Sequence, residues 1–141
     1  MKVAPQTALR AYLLVVGVGL LAQGGLSLVL RAAGALAADD TNGLVTGDAR
    51  HASIHVVWGI ALLAFIASRP NERGLALAGL AFGIFYTAFA FAGIVVRHPF
   101  GLALDSRQNG FHTIVGPVAL ALAGLAWPRR VYERTRTVSG K

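Results

Sequence analysis

The side chains in this sequence most able to do chemistry are histidines that follow an aspartate at helical spacing. Asp48, His51 and His55 stand at positions i, i+3 and i+7. On a helix this spacing places the three side chains one above another on a single face. The same spacing occurs a second time, with Gln in place of the first His, in Asp105, Gln108 and His112. Two polar stripes are therefore expected, each about two turns deep.

The first stripe has the ligand types of a divalent-metal site. His51 and His55, at i and i+4, are well spaced to bind one ion, and Asp48 could supply an oxygen ligand. The chain contains no cysteine, so any zinc or other divalent ion would use His, Asp or Glu. The alternative is that this histidine pair is a solvated helix start that binds nothing.

A pair of histidines on two helices at matched depth also fits a b-type haem with two axial imidazoles. The candidate ligands of such an electron-transfer module are His55 and His112. Glycines one turn deeper could accommodate the edge of the ring, and nearby arginines could neutralise its propionates. These supporting residues are Gly59, Gly116, Arg50, Arg107 and Arg97.

The third interpretation is structural. His55 and His112 would hydrogen-bond to each other between helices, fix the register of the bundle and bind no cofactor. Interhelical polar bonds in membranes contribute roughly 1 kcal/mol each. No nucleophile and base stand out in a recognisable arrangement, so an enzyme is not expected. We therefore expect a small accessory or structural membrane protein, with the haem module and the metal-binding protein as alternatives.

The two stripes belong to a longer internal match. Identical Asp, Arg, His and Gly residues recur with a constant separation of 57 residues. The matched pairs are Asp48 and Asp105, Arg50 and Arg107, His55 and His112, and Gly59 and Gly116. This match predicts a duplicated two-helix hairpin, over about 8–69 and 73–128. Its two halves would share one topology about an axis along the membrane normal, with equivalent residues at equal depth.

The second copy resembles a known family. Asn109-Gly-Phe-His112-Thr-Ile-Val-Gly116 matches the Asn-x-x-His-x-x-x-Gly motif that opens the even-numbered helices of small bacterial four-helix membrane proteins, catalogued as domain of unknown function 4383. In the first copy Ala52 stands where the motif has Asn, although His55 and Gly59 remain. The resemblance implies a four-span fold over most of the chain and implies no activity.

The elements that carry these motifs are expected to be membrane-spanning helices. The 141 residues are 55% hydrophobic and only 13% charged, with a mean hydropathy of +0.62, whereas roughly a quarter of the residues of a soluble domain are charged. A span takes roughly 20 apolar residues. Four apolar runs qualify: 11–30, 52–67, 74–96 and 111–127. The second is long enough only if its helix begins at a cap by Asp48, and the fourth only if its helix begins at a cap by Asp105 or Ser106. The sequence therefore predicts a single all-α membrane domain over 1–141, a four-helix bundle.

The distribution of basic residues predicts the orientation. Nine Lys and Arg residues lie on the side of the termini and four on the other side, which places both termini in the cytoplasm. Five of the nine lie in the tail, 129–141, where they would bind anionic lipid rather than nucleic acid. The Ala-, Gly- and Arg-rich usage is typical of a high-GC bacterium, so we expect its cytoplasmic membrane. The 17 glycines suit close helix packing, within one chain, a homo-oligomer or a larger complex.

Overall fold

A computed structural model describes residues 4–41, 44–96, 101–102 and 106–128. Its helices are α1 (Pro5–Ala32), α2 (Ala49–Ala67), α3 (Glu72–Val95) and α4 (Ser106–Ala126). Each of the four is long and apolar enough to cross a membrane, which confirms the predicted all-α fold of four apolar helices. Arg97, Asp105 and the tail at 129–141 lie outside the described residues.

Polar side chains mark the helix ends. The Asp48 carboxylate accepts from the backbone N–H groups of Arg50 and His51, at 2.9 and 3.3 Å, so the predicted N-cap of α2 is confirmed. Asn71 caps α3 in the same way. α1 begins at Pro5, before the apolar run at 11–30, because proline at the first helical position has the right φ and lacks an N–H that would be unpaired there.

The chain packs as two hairpins, α1 with α2 and α3 with α4, and glycines lie at their closest contacts. A Cβ on Gly59 would lie 2.7 Å from the backbone nitrogen of Leu21 in α1, and a Cβ on Gly116 would lie equally close to the backbone of Thr87 in α3. We predicted that these glycines could accommodate the edge of a haem ring. The neighbouring helices occupy that room, because small residues let helix backbones approach closely.

The packing of the two hairpins is similar in detail. Gly17 of α1 lies against the side chain of Leu63 in α2, and Gly83 of α3 lies against Leu120 in α4. Leu63 and Leu120 are separated by the same 57 residues as the motif positions. The hairpins also contact each other, since the Tyr12 hydroxyl in α1 donates to the Val115 carbonyl in α4 at 2.7 Å.

Large apolar side chains lie on both the inside and the outside of the bundle. The buried core contains Leu9, Leu13, Leu20, Leu62, Leu75, Phe82, Tyr86 and Val115. Each helix also exposes large apolar residues, among them Val15, Val29, Val57, Ile84, Phe91, Ile114 and Leu125. Soluble monomers rarely expose so much contiguous apolar surface. An outer surface of this kind matches a lipid environment.

Candidate metal centre

Three histidine side chains meet inside the bundle. His51 and His55 come from the first two turns of α2, and His112 comes from the second turn of α4. All three are at most 1% exposed. His55 Nε2 lies 3.2 Å from His51 Nε2 and 3.4 Å from His112 Nε2. One ring nitrogen from each residue lies within 4.8 Å of the others, so the three form a cluster, called here the histidine triad.

The burial of the triad corrects one expectation. The alternative to a metal site was that His51 and His55 form a solvated helix start, but the structure buries both. The segment between α1 and α2 folds over this end of the bundle: Val45 and Thr46 are buried, and the Thr46 N–H donates to Ser27 Oγ of α1 at 3.1 Å. A sequence pattern on one helix does not reveal such a cover.

Aromatic rings enclose the triad on the side of α3. The ring of Phe89 lies edge-on to His112, with centroids 5.1 Å apart, and 6.1 Å from His51. Tyr86 lies 5.3 Å from His112. Phe85 stacks on Phe89, with ring centroids 5.9 Å apart. The triad therefore lies in an apolar environment, where a polar interaction is stronger than in water.

A fourth polar residue orients the central imidazole. His55 Nδ1 is hydrogen-bonded to Gln23 Oε1 of α1. Because an amide oxygen can only accept, Nδ1 carries the proton, and the lone pair of Nε2 points toward the other two histidines. Metal-binding histidines are commonly held by such a contact. Our sequence reasoning missed Gln23, although its signal was visible: an amide inside an apolar span is costly and marks function.

The two distances from His55 Nε2 to the other histidines fit a tetrahedral ion. Two nitrogens bound to one zinc ion at about 2.0–2.1 Å and at the tetrahedral angle lie about 3.3–3.4 Å apart. The 3.2 and 3.4 Å separations in the triad are close to this value. Nitrogens on opposite sides of one ion at the same bond length, as two axial ligands require, lie about 4 Å apart. The ring of His51 also lies beside both other rings, at 4.6 and 5.5 Å.

The structure brings together three of the predicted site residues and separates the others. Asp48, predicted as an oxygen ligand, uses its carboxylate to cap α2. Arg50 and Arg107, predicted beside haem propionates, are exposed. Arg50 lines a separate surface cavity with Arg31, Asp39 and Asp48. His112, predicted as a haem ligand or a packing residue, takes the place beside His51 and His55 that we predicted for Asp48.

A cavity of about 310 Å³ adjoins the triad between α1 and α4. Its walls are Val15, Val16, Gly19, Leu44 and Phe111, and polar groups of Gln23, His55, Gln108 and His112 also line it. Two of the three triad residues, His55 and His112, thus form part of the cavity wall.

Comparisons of the chain with protein-family models, with curated proteins and with solved structures gave no match. The resemblance to domain of unknown function 4383 therefore stays a prediction, and the site itself is the basis for the function proposed below.

Proposed function

We propose that this chain is a membrane protein that binds one divalent transition-metal ion, zinc foremost, through His51, His55 and His112. The observation that carries the proposal is the spacing of the imidazoles: the Nε2 atoms of His51 and His112 lie 3.2 and 3.4 Å from that of His55, as on one tetrahedral ion. Neutral imidazole is a good ligand for zinc, copper, iron and nickel. Three histidines with a fourth position left for water or another ligand are typical of catalytic zinc sites.

The hydrogen bonds of the triad support an ion over simple packing. His55 Nε2 offers one lone pair, and both His51 and His112 approach that same nitrogen. Two donors sharing one acceptor at these distances make weak bonds, since N–H donors prefer about 2.9–3.0 Å. An ion at the centre uses all three lone pairs at once. Its binding free energy would offset the cost of keeping three polar rings in an apolar core.

The predicted duplication explains how two of the ligands come to face each other. It is supported by the matching glycine contacts, Gly17 with Leu63 and Gly83 with Leu120. If α2 and α4 pack in equivalent positions, His55 and His112 lie at equal depth on facing helices. Only His51 then has to be added to complete a three-ligand site.

We propose further that the protein lies in a bacterial cytoplasmic membrane with both termini inside. The support is the excess of Lys and Arg on the side of the termini. In this orientation the triad belongs to the outer half of the bundle, near the start of α2 and α4, and the basic tail at 129–141 binds anionic lipids of the inner leaflet.

The proposal is tested by metal titration of the detergent-purified chain after treatment with a chelator. We expect one zinc ion per chain by elemental analysis and a saturable heat of binding. His112→Ala should lose this binding because only two ligands remain. Thr113→Ala is the matched control, since Thr113 is the next residue of α4, is exposed, and bonds only the backbone carbonyl of Asn109 among the described residues.

The other hypotheses make different predictions in the same experiment. If the wild type binds no zinc yet folds normally, the triad is a set of interhelical hydrogen bonds, and the chain is the accessory or structural protein of the first interpretation. If the protein is red as isolated and has a Soret band that His112→Ala removes, the bound group is haem b. A colourless protein with one zinc ion per chain supports the proposed metal site.

A further inference from the structure

The cavity beside the triad lies against α1, a helix that supplies no histidine to it. All three histidines come from α2 and α4, whereas the cavity lies between α1 and α4. His55 and His112 line it directly. A ligand in the fourth position of an ion bound to these histidines would approach it from this side, along the wall that His55 and His112 form.

The walls of the cavity indicate what kind of ligand can enter. Val15 and Val16 of α1 and Phe111 of α4 line it, and none of its described lining residues is charged. Val15 is 70% exposed and Phe111 is 41% exposed, so the cavity opens sideways between two helices, onto the surface that faces lipid. The walls offer no charged partner to the body of a ligand, so a charge placed along them would lose its hydration without compensation. The ligand should be neutral and should come from the lipid phase.

The volume limits the size of the bound part. Small-molecule sites occupy about 300–1,000 Å³, and this cavity of about 310 Å³ is at the lower end of that range. One ring or a short chain fits, with any longer tail left in the lipid. The polar groups at the inner end, Gln23 and Gln108 beside the histidines, fit a head with an oxygen atom.

We propose that the cavity binds a neutral, lipid-soluble hydroxyl compound, a phenol, quinol or alkanol, whose oxygen is the fourth ligand of the metal. This inference rests on the proposed metal site. Three-histidine zinc sites hold water in the fourth position, and a hydroxyl group offers the ion the same kind of oxygen donor. The apolar part of the molecule lies against Val15, Val16 and Phe111.

Cobalt provides a coloured probe of this fourth position. Tetrahedral Co²⁺ absorbs in the visible region, and its spectrum changes when a ligand is exchanged. Co²⁺-loaded protein in detergent would be titrated with 4-hexylphenol and, separately, with 1-hexanol. Hexylbenzene, which lacks the oxygen, is the control compound. We expect a saturable spectral shift with at least one hydroxyl probe and none with hexylbenzene.

Two glycines of α1 provide matched variants. Gly19 lines the cavity, and a Cβ built on it meets nothing within 4 Å, so Gly19→Leu should fill the cavity without disturbing the fold. Gly25 has the same open space but is not among the lining residues. Gly19→Leu should keep the Co²⁺ spectrum and lose the response to the hydroxyl probe, whereas Gly25→Leu should keep both.

Each other outcome overturns the inference in a recognisable way. Co²⁺ bands that do not respond to either hydroxyl probe, that respond to hexylbenzene, or that respond equally in Gly19→Leu, reject the cavity ligand and leave the metal site standing. A chain that never binds Co²⁺ or Zn²⁺ rejects the metal site and this inference together. A response to 4-hexylphenol alone assigns a ring-bearing head, and a response to 1-hexanol alone assigns an alkanol.

Discussion

The two hairpins of this molecule pack their helices in the same way but differ in the side chains around the histidines. Each odd-numbered helix has a glycine packed against a leucine of its partner, Gly17 in α1 and Gly83 in α3. Six residues later, α1 has Gln23, which hydrogen-bonds to His55, whereas α3 has Phe89, whose ring edge packs on His112. The helix packing is the same in both hairpins. His55 contacts a polar side chain of the odd-numbered helix in its hairpin, whereas His112 contacts an apolar one.

The even-numbered helices also differ in their polar side chains. α2 has histidine at both positions of its stripe, His51 and His55, whereas α4 has Gln108 before His112. A fully symmetric pair of hairpins would bring four imidazoles together and fill a tetrahedral ion. This pair brings three, together with an amide that lines the cavity. In the proposed metal site, this difference between the halves would leave a fourth position open.

The largest expected effect comes from removing the difference between α2 and α4. His51→Gln gives the first stripe the Gln–His pattern of the second and leaves two imidazoles for the ion. Zinc affinity should fall by more than the roughly 10–100-fold that changes in outer-shell partners cost, as measured by calorimetric titration. Ser53→Ala, an exposed position on α2 whose hydroxyl bonds the Ala49 carbonyl, should bind zinc normally. Unchanged affinity in His51→Gln would remove His51 from the ligand set.

The next largest effect tests whether the helices are equally closely packed in both hairpins. A methyl group on Gly59 or Gly116 would overlap the backbone of the neighbouring helix, and overpacking typically costs about 1–3 kcal/mol. Both alanine variants should lower the midpoint of unfolding in mixed detergent and SDS. Gly124→Ala, in open space on α4, should be neutral or stabilising because alanine favours helix by about 1 kcal/mol over glycine. If only one of the two alanine variants is destabilised, the two hairpins do not pack in the same way.

Gln23 provides a finer test of the polar partner that only the first hairpin has. Gln23→Leu removes the acceptor for His55 Nδ1 and should weaken zinc binding about 10–100-fold while the fold is kept. Gln23→Glu keeps an acceptor at this place and should restore most of the affinity, which a purely steric role would not explain. Equal affinity in the leucine variant and the wild type would show that Gln23 does not orient the site.

The four helices could be predicted because their signals are local. Apolar runs of sufficient length and the cap at Asp48 each act within a few residues. The largest shift occurs where a polar turn extends a helix beyond its apolar run, at the start of α1. Local spacing also put His51 and His55 on one face.

The site itself needed information that local spacing does not contain. The constant separation in the sequence correctly paired His55 with His112, but it could not give the rotation of α4 that brings His112 to His51 as well. Gln23 lies 32 residues from His55, on a helix whose sequence carries no matching motif. The interpretation of His51 and His55 as a solvated pair was wrong because Val45 and Thr46 cover this end of the bundle, and such a cover is a tertiary feature.

The smallest effect separates the cap of α2 from the metal ligands. Asp48 accepts from two N–H groups at the start of the helix, and replacing such a cap by alanine costs about 0.5–2 kcal/mol. Asp48→Ala should therefore lower stability modestly and leave one zinc ion per chain, whereas Asp48→Asn, which can also cap, should resemble the wild type in both respects. Unfolding curves and elemental analysis measure the two outcomes. If Asp48→Asn instead loses zinc as fully as His51→Gln, the carboxylate is a ligand, and the first hairpin alone supplies three of the ion's ligands.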